Sequence, residues 1–173
     1  MKLYKMPFYR NILIAIVNIF CIFTIVGCAQ VKNYSPNTLS KSYILTNFSC
    51  NKTKVNVNDF RANSSDDVYN LCNIIKQQIE SSLSTNQTKY SYIISVDIIE
   101  HKSFFTLGNW NAETLLRVNI TTSSGNEIAS FDATGRASLS NMCGYSTAKA
   151  VSQEAYNLAI SDLMSKLSHV KTI

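Results

Sequence analysis

Few residues in this chain of 173 could perform acid–base or nucleophilic chemistry, and they are scattered along it. The only two histidines are His101 and His169. His101 follows Glu100 at the end of an alternating stretch, where a catalytic base is one interpretation and a solvated strand end is the simpler one. Asp66 and Asp67 stand where carboxylates favour the start of a helix. The sequence therefore predicts no active site.

Metal, cofactor and phosphate sites are not predicted either. No two cysteines are spaced as in a C-x-x-C motif, and two histidines are too few for the common zinc-binding patterns. The chain has 5 glycines and contains neither a P-loop nor a glycine-rich dinucleotide turn. These features disfavour metalloproteins and nucleotide-dependent enzymes.

The first 27 residues have the three-part layout of a secretory signal peptide. Lys2, Lys5 and Arg10 lie at the start without an acidic residue, 11–26 is almost wholly apolar, and Gly27 supplies a small residue at the end. A membrane-spanning anchor is the alternative. Such an anchor needs about 20 apolar residues, and this run is shorter and is interrupted by an asparagine.

The quartet Ile25-Val26-Gly27-Cys28 resembles a bacterial lipobox. The resemblance implies cleavage between Gly27 and Cys28 and the addition of fatty acyl chains such as palmitate to Cys28. Each buried methylene contributes about 0.8 kcal/mol, so several chains would hold the protein at a membrane. In Gram-negative lipoproteins an aspartate after the cysteine favours the inner membrane. Ala29 at that position therefore points to the outer membrane, with the domain expected to face the periplasm.

The charge that remains after such cleavage argues against nucleic-acid binding. The full chain has 16 basic and 11 acidic residues, a net charge of +5. Lys2, Lys5 and Arg10 lie in the signal peptide, which leaves 13 basic against 11 acidic residues. A protein this close to neutral lacks the basic surface that phosphate backbones require.

The remainder of the chain divides into a tether and one domain. Residues 28–40 combine the acylated cysteine with a polar stretch without periodicity, which favours a flexible tether over an irregular packed arm. Residues 41–173 are long enough for one domain with its own core. The predicted organisation is a signal peptide over 1–27, a tether over 28–40 and a domain over 41–173.

Three further cysteines lie in this exported part, where disulfides can form. Cys72 stands among apolar residues at helical spacing, so a buried thiol is expected. Cys50 and Cys143 both lie in predicted connections, which makes them the first disulfide pair to test. Three thiols allow at most one internal bridge, and the sequence does not choose its partners.

Apolar periodicity predicts alternating short elements in the domain. A helix starts near Ser64 or Ser65, with Asp66 and Asp67 in its first turn, and ends near Ser84. Alternating or β-rich segments predict strands at 42–48, 54–60, 90–98, 116–121 and 127–135.

A second predicted helix, 147–167, carries a stripe of small alanines that would let it lie close to a sheet. Gly125 can adopt a positive φ in the turn 123–126, which predicts a hairpin there. Segments 42–48 and 54–60 form either another hairpin or two successive strands. The predicted fold is an α+β two-layer sandwich, a mainly antiparallel sheet of four to five strands with two helices on one face.

The lipobox, a strand before a helix, the strand 92–98, the hairpin 116–128 and the final alanine-rich helix together resemble small Gram-negative outer-membrane lipoproteins of the YajG-like kind. The layout is similar, more loosely, to the periplasmic domains of curli-type assembly lipoproteins and of lipoprotein activators of penicillin-binding proteins. The resemblance rests on layout over most of the exported part. Cys28 is the only functional residue that it implies.

Two classes of function remain after these exclusions. The favoured hypothesis is a non-enzymatic binding, structural or assembly-accessory module, anchored to the membrane through Cys28, that acts on a protein partner in the envelope. The alternative is a lipid-anchored envelope enzyme whose active site is assembled from distant residues. Neither hypothesis requires a cofactor, a metal or a nucleic acid.

One segment, 103–110, is more aromatic than its predicted position as a connection between strands requires. Phe104 and Phe105 are adjacent, and Leu107 and the chain's only tryptophan, Trp110, follow. These side chains could plug one end of the core, with Phe104 and Phe105 pointing to opposite sides of an extended chain. They could also stay exposed as a contact site, because clustered exposed aromatics tend to mark interfaces.

Overall fold

Two helices and six strands make up the computed structural model, which describes residues 36–37, 43–61, 68–85, 90–141 and 147–171. The described residues belong to one structural unit, 31–173. In chain order the elements are β1 Leu45–Ser49, β2 Thr53–Asp59, α1 Val68–Glu80, β3 Leu83–Ser84, β4 Tyr92–Thr106, β5 Asn109–Thr122, β6 Glu127–Ser140 and α2 Ala148–His169.

Some predictions fall outside the described residues. Gly27 and Cys28, on which signal cleavage and lipidation rest, are among them, and so is Cys143 of the proposed disulfide. The predicted start of the first helix, 64–67, is also outside the described part. These interpretations stay predictions.

The main sheet has the strand order β2-β4-β5-β6. Strand β2 runs parallel to β4, whereas β4–β5 and β5–β6 are antiparallel hairpin partners. The α+β class, the mainly antiparallel sheet and its four strands are therefore confirmed. The predicted turn 123–126 joins β5 to β6, and Gly125 has a φ of 89°.

A hairpin between the first two strands, one of the two alternatives for 42–60, is wrong. β1 instead pairs in parallel with the short strand β3, in a separate two-stranded sheet. Leu45 N donates to Ser82 O at 2.7 Å, and Cys50 N donates to Ser84 O at 2.8 Å. The turn after β1 carries the chain from this small sheet into the main sheet.

The first helix ends four residues earlier than the predicted end at Ser84. Helix α1 stops at Glu80, and a turn follows in which Ser82 Oγ donates to the Gln78 carbonyl at 2.8 Å. Leu83, which continues the apolar helical spacing, lies in strand β3. The backbone of β1 offers pairing partners to this segment, so tertiary pairing overrides the helical pattern there.

Helix α2 begins where the sequence predicts it. Thr147 is the N-cap, and its hydroxyl accepts a hydrogen bond from Ala150 N at 3.1 Å. Lys166 and His169 lie in the last turn, where positive charge is favourable to the helix dipole. The helix continues to His169, beyond the predicted end at Leu167.

Helix α2 packs so closely on the sheet that one strand position admits only glycine. A Cβ built on Gly135 of β6 would lie 1.9 Å from Ala155 O and 2.5 Å from Ala159 N. The stripe of small residues predicted on this helix therefore does meet the sheet at close range. The glycine that completes the contact is not marked by any periodicity in the sequence.

The main core lies between the sheet and the two helices. Alternate residues of the sheet point into it, and both helices contribute their apolar stripes. Its largest fully buried side chains are Tyr92, Tyr156, Phe48, Leu45, Leu71, Ile75, Ile79, Ile94, Ile98, Leu116, Ile120 and Ile160. A smaller cluster of Ala112, Val151 and Ala155 extends the packing along α2.

Part of the segment predicted as a tether is packed on the domain. Pro36 is buried, and Asn37 N donates to Gln153 Oε1 at 2.6 Å. Gln153 Nε2 in turn donates to Asn37 O at 3.2 Å. These two residues follow the alternative of an irregular packed arm, because the side chain of Gln153 satisfies both backbone groups of Asn37.

Candidate functional site

The aromatic segment 103–110 is not a connection between two short strands, as predicted, but the end of a long β-hairpin. Strand β4 continues to Thr106, β5 begins at Asn109, and only Leu107 and Gly108 lie between them. The prediction failed because the strict apolar alternation ends at Ile98, where the register of β4 against β5 shifts.

Leu107 and Gly108 form the turn of this hairpin. Their φ angles are 48° and 80°, and a two-residue turn with both central φ angles positive is the type I′ turn. Glycine adopts this conformation without strain, whereas for an L-residue such as leucine it costs roughly 1–2 kcal/mol. Asn141 N donates to Gly108 O at 2.8 Å, which ties the end of β6 to the turn.

Leu107 gains no packing in return for this strain. Its relative exposure is 101%, and it is the most exposed of the large apolar residues in the described part of the chain. Turn positions of this type are usually occupied by asparagine, aspartate or glycine. A strained, fully exposed leucine is therefore not explained by folding.

An aromatic pair lies directly beneath the turn. Phe105 and Trp110 face each other across the hairpin, with ring centroids 5.2 Å apart and an edge-on arrangement. Leu139 pairs with Trp110 on the other side and is 37% exposed. We call Phe105, Leu107, Trp110 and Leu139 the tip cluster.

The tip cluster is anchored on one side and open on the other. Trp110 packs against the smaller core cluster, which includes Val151 at the start of α2, and it remains half-buried together with Phe105. The interpretation as a core plug thus applies in part to Phe105 and Trp110, which are half-buried. The interpretation as a contact site applies to Leu107, which projects into solvent. The arrangement places an exposed apolar side chain at the end of the sheet.

Phe104 lies on the opposite face of the sheet from Phe105, as the alternation of an extended strand requires. It pairs with Asn111, and Lys102 Nζ lies 5.7 Å from its ring centroid. Lys102 also forms an ion pair with Glu100 on the same face. Of the four predicted contact residues, the structure therefore brings Phe105, Leu107 and Trp110 together and separates Phe104.

The interpretation of His101 as a solvated strand end is wrong. Its relative exposure is 2%, and it points towards α2. His101 Nδ1 lies 2.9 Å from Thr114 Oγ1, and His101 Nε2 lies 3.2 Å from Ser152 Oγ. The register shift between Ile98 and Glu100 is the reason, because one extra residue turns every later side chain of β4 to the other face.

His101 and Ser152 are residue types that can serve as a general base and a nucleophile, but both side chains are buried. Ser152 and Thr114 are buried on either side of the imidazole, and Ser103 lies beside them in the interior. A hydrolytic pair must meet its substrate within hydrogen-bonding reach. The arrangement is suited to satisfying buried polar groups within the packed layer between β4, β5 and α2.

Tyr156 completes this interior region. Its ring meets the His101 ring edge-on, with centroids 6.4 Å apart, and burial raises the pKa of its phenol. Within the described residues its hydroxyl is buried without a hydrogen-bond partner. The phenol therefore stays protonated in the folded protein at ordinary pH.

A nearly buried ion pair closes the end of β2. Arg61 donates through Nε and Nη2 to the Asp59 carboxylate, the Nη2–Oδ2 distance is 2.7 Å, and the two side chains are 6% and 3% exposed. Burial raises the pKa of Asp59, but the hydrogen bonds and charge of Arg61 outweigh it, so the net shift of the pKa is downward. The Asp59 carboxylate is thus stabilised chiefly by Arg61.

The two described cysteines are unlike each other. Cys50 is exposed, whereas Cys72 is half-buried on α1 and packs against the core. The sequence-based prediction of a buried Cys72 thiol is therefore only partly correct. Burial raises the pKa of the Cys72 thiol, and the Asp59 carboxylate raises it further against the opposing effect of Arg61. Cys72 is therefore expected to react slowly with thiol reagents.

Sequence reasoning missed the buried His101 cluster, the Asp59–Arg61 pair and Leu139. A bulge in β4 has no clear sequence signal, and Leu139 follows a run of small and polar residues. The described residues contain no group of three or more histidine, cysteine, aspartate or glutamate side chains placed to hold a metal ion. No helix in the described part is long and apolar enough to span a membrane.

No family model matches the sequence, and no curated protein matches it significantly. Several solved structures are similar. A DUF330-family protein from Xanthomonas campestris is 13% identical, with a TM-score of 0.45 over 79% of this chain and 90% of that chain. A candidate lipoprotein from Caulobacter crescentus is 11% identical, with a TM-score of 0.44 over 69% and 90% of the two chains. A minor lipoprotein from Acinetobacter baumannii is 16% identical, with a TM-score of 0.34 over 68% and 87%.

Proposed function

We propose that this protein is an envelope lipoprotein that acts as a non-enzymatic binding module and contacts a protein partner through its tip cluster. In this proposal acyl chains on Cys28 anchor it to the outer membrane and the domain faces the periplasm. The signal peptide that ends in the lipobox Ile25–Cys28 supports the anchor. Ala29 in place of an aspartate supports the outer membrane over the inner one. The YajG-like resemblance belongs to the same proposal.

The single observation that carries the binding role is the conformation of Leu107. A leucine at a φ of 48° destabilises the turn, and full exposure leaves it no compensating contact within the domain. Strain of this kind is typical of sites where function requires a particular side chain. Phe105, Trp110 and Leu139 lie beside it, which gives a partner an apolar surface with aromatic anchors.

The enclosure of the histidine–serine pair supports a non-enzymatic role. His101 and Ser152 are 2% and 1% exposed, so a substrate could reach them only if α2 moved away from the sheet. The Asp59 carboxylate is engaged by Arg61. A measurement of hydrolase activity in the purified protein, lost in Ser152→Ala, would favour the enzyme hypothesis instead.

Replacement of Cys28 tests the anchor. In Cys28→Ser we expect no incorporation of labelled palmitate and an uncut precursor, because the acylated sulfur is missing. Cys50→Ser is the matched control and should be labelled and processed normally. Labelling of Cys28→Ser at the level of the control would refute the assignment of Cys28.

Replacement of Leu107 tests the contact site. In Leu107→Asn the turn should become more stable by about 1 kcal/mol, because asparagine tolerates a positive φ. Cross-linking to the envelope partner should fall in the same variant. Leu158→Asn, which changes an exposed leucine on α2, is the control and should cross-link normally. A contact role for the tip is wrong if Leu107→Asn cross-links as well as the unmodified protein.

A further inference from the structure

The described chain before β1 meets helix α2 at two levels, in the same order as along the helix. Gln153, in the first two turns of α2, accepts a hydrogen bond from Asn37 N at 2.6 Å and donates to Asn37 O at 3.2 Å. Further along, the Tyr43 hydroxyl donates to Ser161 Oγ at 3.1 Å. The chain therefore joins the domain at Gln153, beside the N-terminal half of α2.

The tip cluster lies at this same end of the helix. Trp110 packs against a small cluster that includes Val151, two residues before Gln153 on α2. Ser140, the last residue of β6, pairs with Asn109 next to the tip turn. The domain thus has a tip end, at the start of α2, and an opposite end, at the turn 123–126.

The joining point is nearer to the tip end than to the opposite end. Ala155, two residues beyond Gln153 on α2, lies against Gly135 of β6. From Gly135 the strand runs five residues to Ser140 at the tip end and eight residues back to Glu127 at the opposite end. At 3.4 Å per residue these lengths are about 17 Å and about 27 Å. An anchor attached through Gln153 is therefore closer to the tip.

Few residues separate this joining point from the acylated cysteine of the proposed function. Cys28 precedes Asn37 by nine residues. Nine residues of flexible chain have a root-mean-square span of about 17 Å and reach about 30 Å only when fully extended. An anchor of this length favours the orientation in which the tip end faces the membrane, because the opposite orientation requires almost full extension.

The preference depends on the contact between Asn37 and Gln153. Without it, the next described contact is that of Tyr43 with Ser161, eight residues further along α2 and about 12 Å towards the opposite end. Tyr43 lies fifteen residues from Cys28 instead of nine. The longer reach and the shifted attachment would let either end of the domain face the membrane.

The apolar surface of the tip suits a protein pocket better than a lipid surface. Leu107 is fully exposed, whereas Phe105 and Trp110 are half-buried. Adsorption to a bilayer strengthens with the apolar area that is buried, and one leucine offers little. A pocket can enclose Leu107 together with the edges of the aromatic pair, and confinement of both proteins to one membrane raises their effective concentration.

We propose that the Asn37–Gln153 contact turns the tip cluster towards the membrane that holds Cys28, and that the partner of the tip is a protein embedded in this membrane. That protein offers an apolar pocket at the membrane surface. The inference rests on the proposed function, which supplies the acyl anchor and the contact role of Leu107. It adds the orientation of the domain and the class of the partner.

Energy transfer from tryptophan measures the orientation, because Trp110 is the chain's only tryptophan. The acylated full chain is added to preformed vesicles of phosphatidylethanolamine and phosphatidylglycerol that carry a dansyl acceptor on some headgroups. A second protein combines Trp110→Phe with Ser124→Trp, which moves the donor to the exposed turn at the opposite end. In both proteins Gln153→Ala removes the contact with Asn37, and Gln77→Ala, at an exposed glutamine of α1, is the matched control.

We expect transfer from position 110 to exceed transfer from position 124 at least about twofold, because the length of β5 between them is about 45 Å. Gln153→Ala should bring the two values together, whereas Gln77→Ala should preserve their difference. Equal transfer from both positions, or an unchanged difference in Gln153→Ala, would overturn the orientation. Flotation of the vesicles reports on the anchor separately, since a chain that does not float with them refutes the anchor and this inference with it.

The class of the partner is tested on the cross-linked product of the unmodified chain. We expect the cross-linked partner to stay in the membrane pellet after alkaline extraction, and its release would overturn the assignment. Vesicles with brominated acyl chains and no second protein test the lipid as occupant. Quenching of Trp110 by these chains would show that the tip enters lipid, which also contradicts a protein pocket. Unchanged cross-linking in Leu107→Asn would instead refute the contact role itself.

Discussion

The two edges of the main sheet differ in how their outward backbone groups are satisfied. On β6, Thr134 N donates to Asp162 Oδ2 at 3.0 Å and Lys166 Nζ donates to the Asp132 carbonyl at 2.7 Å. Asp162 and Lys166 are themselves linked at 2.8 Å. On β2, the corresponding outward groups face a groove.

The difference follows from how closely each helix approaches the sheet. Gly135, Ala155 and Ala159 bring α2 against β6, and this closeness puts the polar side chains of α2 within reach of the strand edge. Helix α1 has no such contact in the described residues and leaves a groove of about 590 Å³. The two edges therefore differ in the described residues: side chains of α2 bond to Thr134 N and to the Asp132 carbonyl of β6, which we call the closed edge, whereas no side chain of α1 bonds to the backbone of β2, the open edge.

The largest expected loss of stability comes from the ion pair at the end of the open edge. Arg61→Ala leaves the Asp59 carboxylate buried without its partner, which should lower the free energy of unfolding by about 3–5 kcal/mol. Urea denaturation measures this change. Arg136→Ala, which removes a contact of 3.6 Å from a side chain that is 81% exposed, should lose under about 1 kcal/mol. Similar losses in both variants would show that Asp59 does not depend on Arg61.

Gly135→Ala breaks the closed edge. The added methyl would overlap the Ala155 carbonyl, so α2 must move, and we expect a loss of about 3 kcal/mol, the upper range for overpacked cores. The opposed atoms belong to the helix backbone and cannot turn aside as a side chain could. Gly125→Ala is the control, because no atom lies within 4 Å of the position that its added methyl would take and only the positive φ is strained. A loss there of about 1 kcal/mol is expected.

The comparison also shows which parts of the structure the sequence could predict. The periodic elements, such as 92–98 and α2, and the turn at Gly125 were predictable because local pattern and tertiary structure agree there. The pairing of β1 with β3 instead of β2 was not predictable, because strand pairing depends on segments that are distant in the sequence. The burial of His101 was not predictable either, since a bulge after Ile98 turns its side chain into the interior.

The candidate site was predictable in composition but not in geometry. An unusually aromatic stretch drew attention to Phe105, Leu107 and Trp110, yet only the hairpin register separates Phe104 from them. The position of β2 at an edge of the sheet could not be predicted from its residues. It depends on which strands pair with it in the described part of the chain, and no local pattern encodes that pairing.

Acid should weaken the end of β2 through the Asp59–Arg61 pair. The pKa of Asp59 lies below its ordinary value of 3.8, so its contribution to stability is fully present above pH 3.8 and is lost as the pH falls through the lower, folded pKa. Urea midpoints measured at decreasing pH should therefore fall less steeply in Arg61→Ala, which has already lost the pair. Parallel curves for the two proteins below pH 3.8 would contradict this expectation.

The smallest effect is expected where side chains cover the edge of β6. Asp162→Ala removes the acceptor for Thr134 N and one contact of Lys166, but these groups are partly exposed, so the free energy of unfolding should fall by less than about 1 kcal/mol. Local opening should be more sensitive than global stability. Exchange of the Thr134 amide should accelerate about fivefold, the factor that corresponds to about 1 kcal/mol. An unchanged exchange rate of the Thr134 amide in Asp162→Ala would show that the Asp162 side chain does not protect this edge.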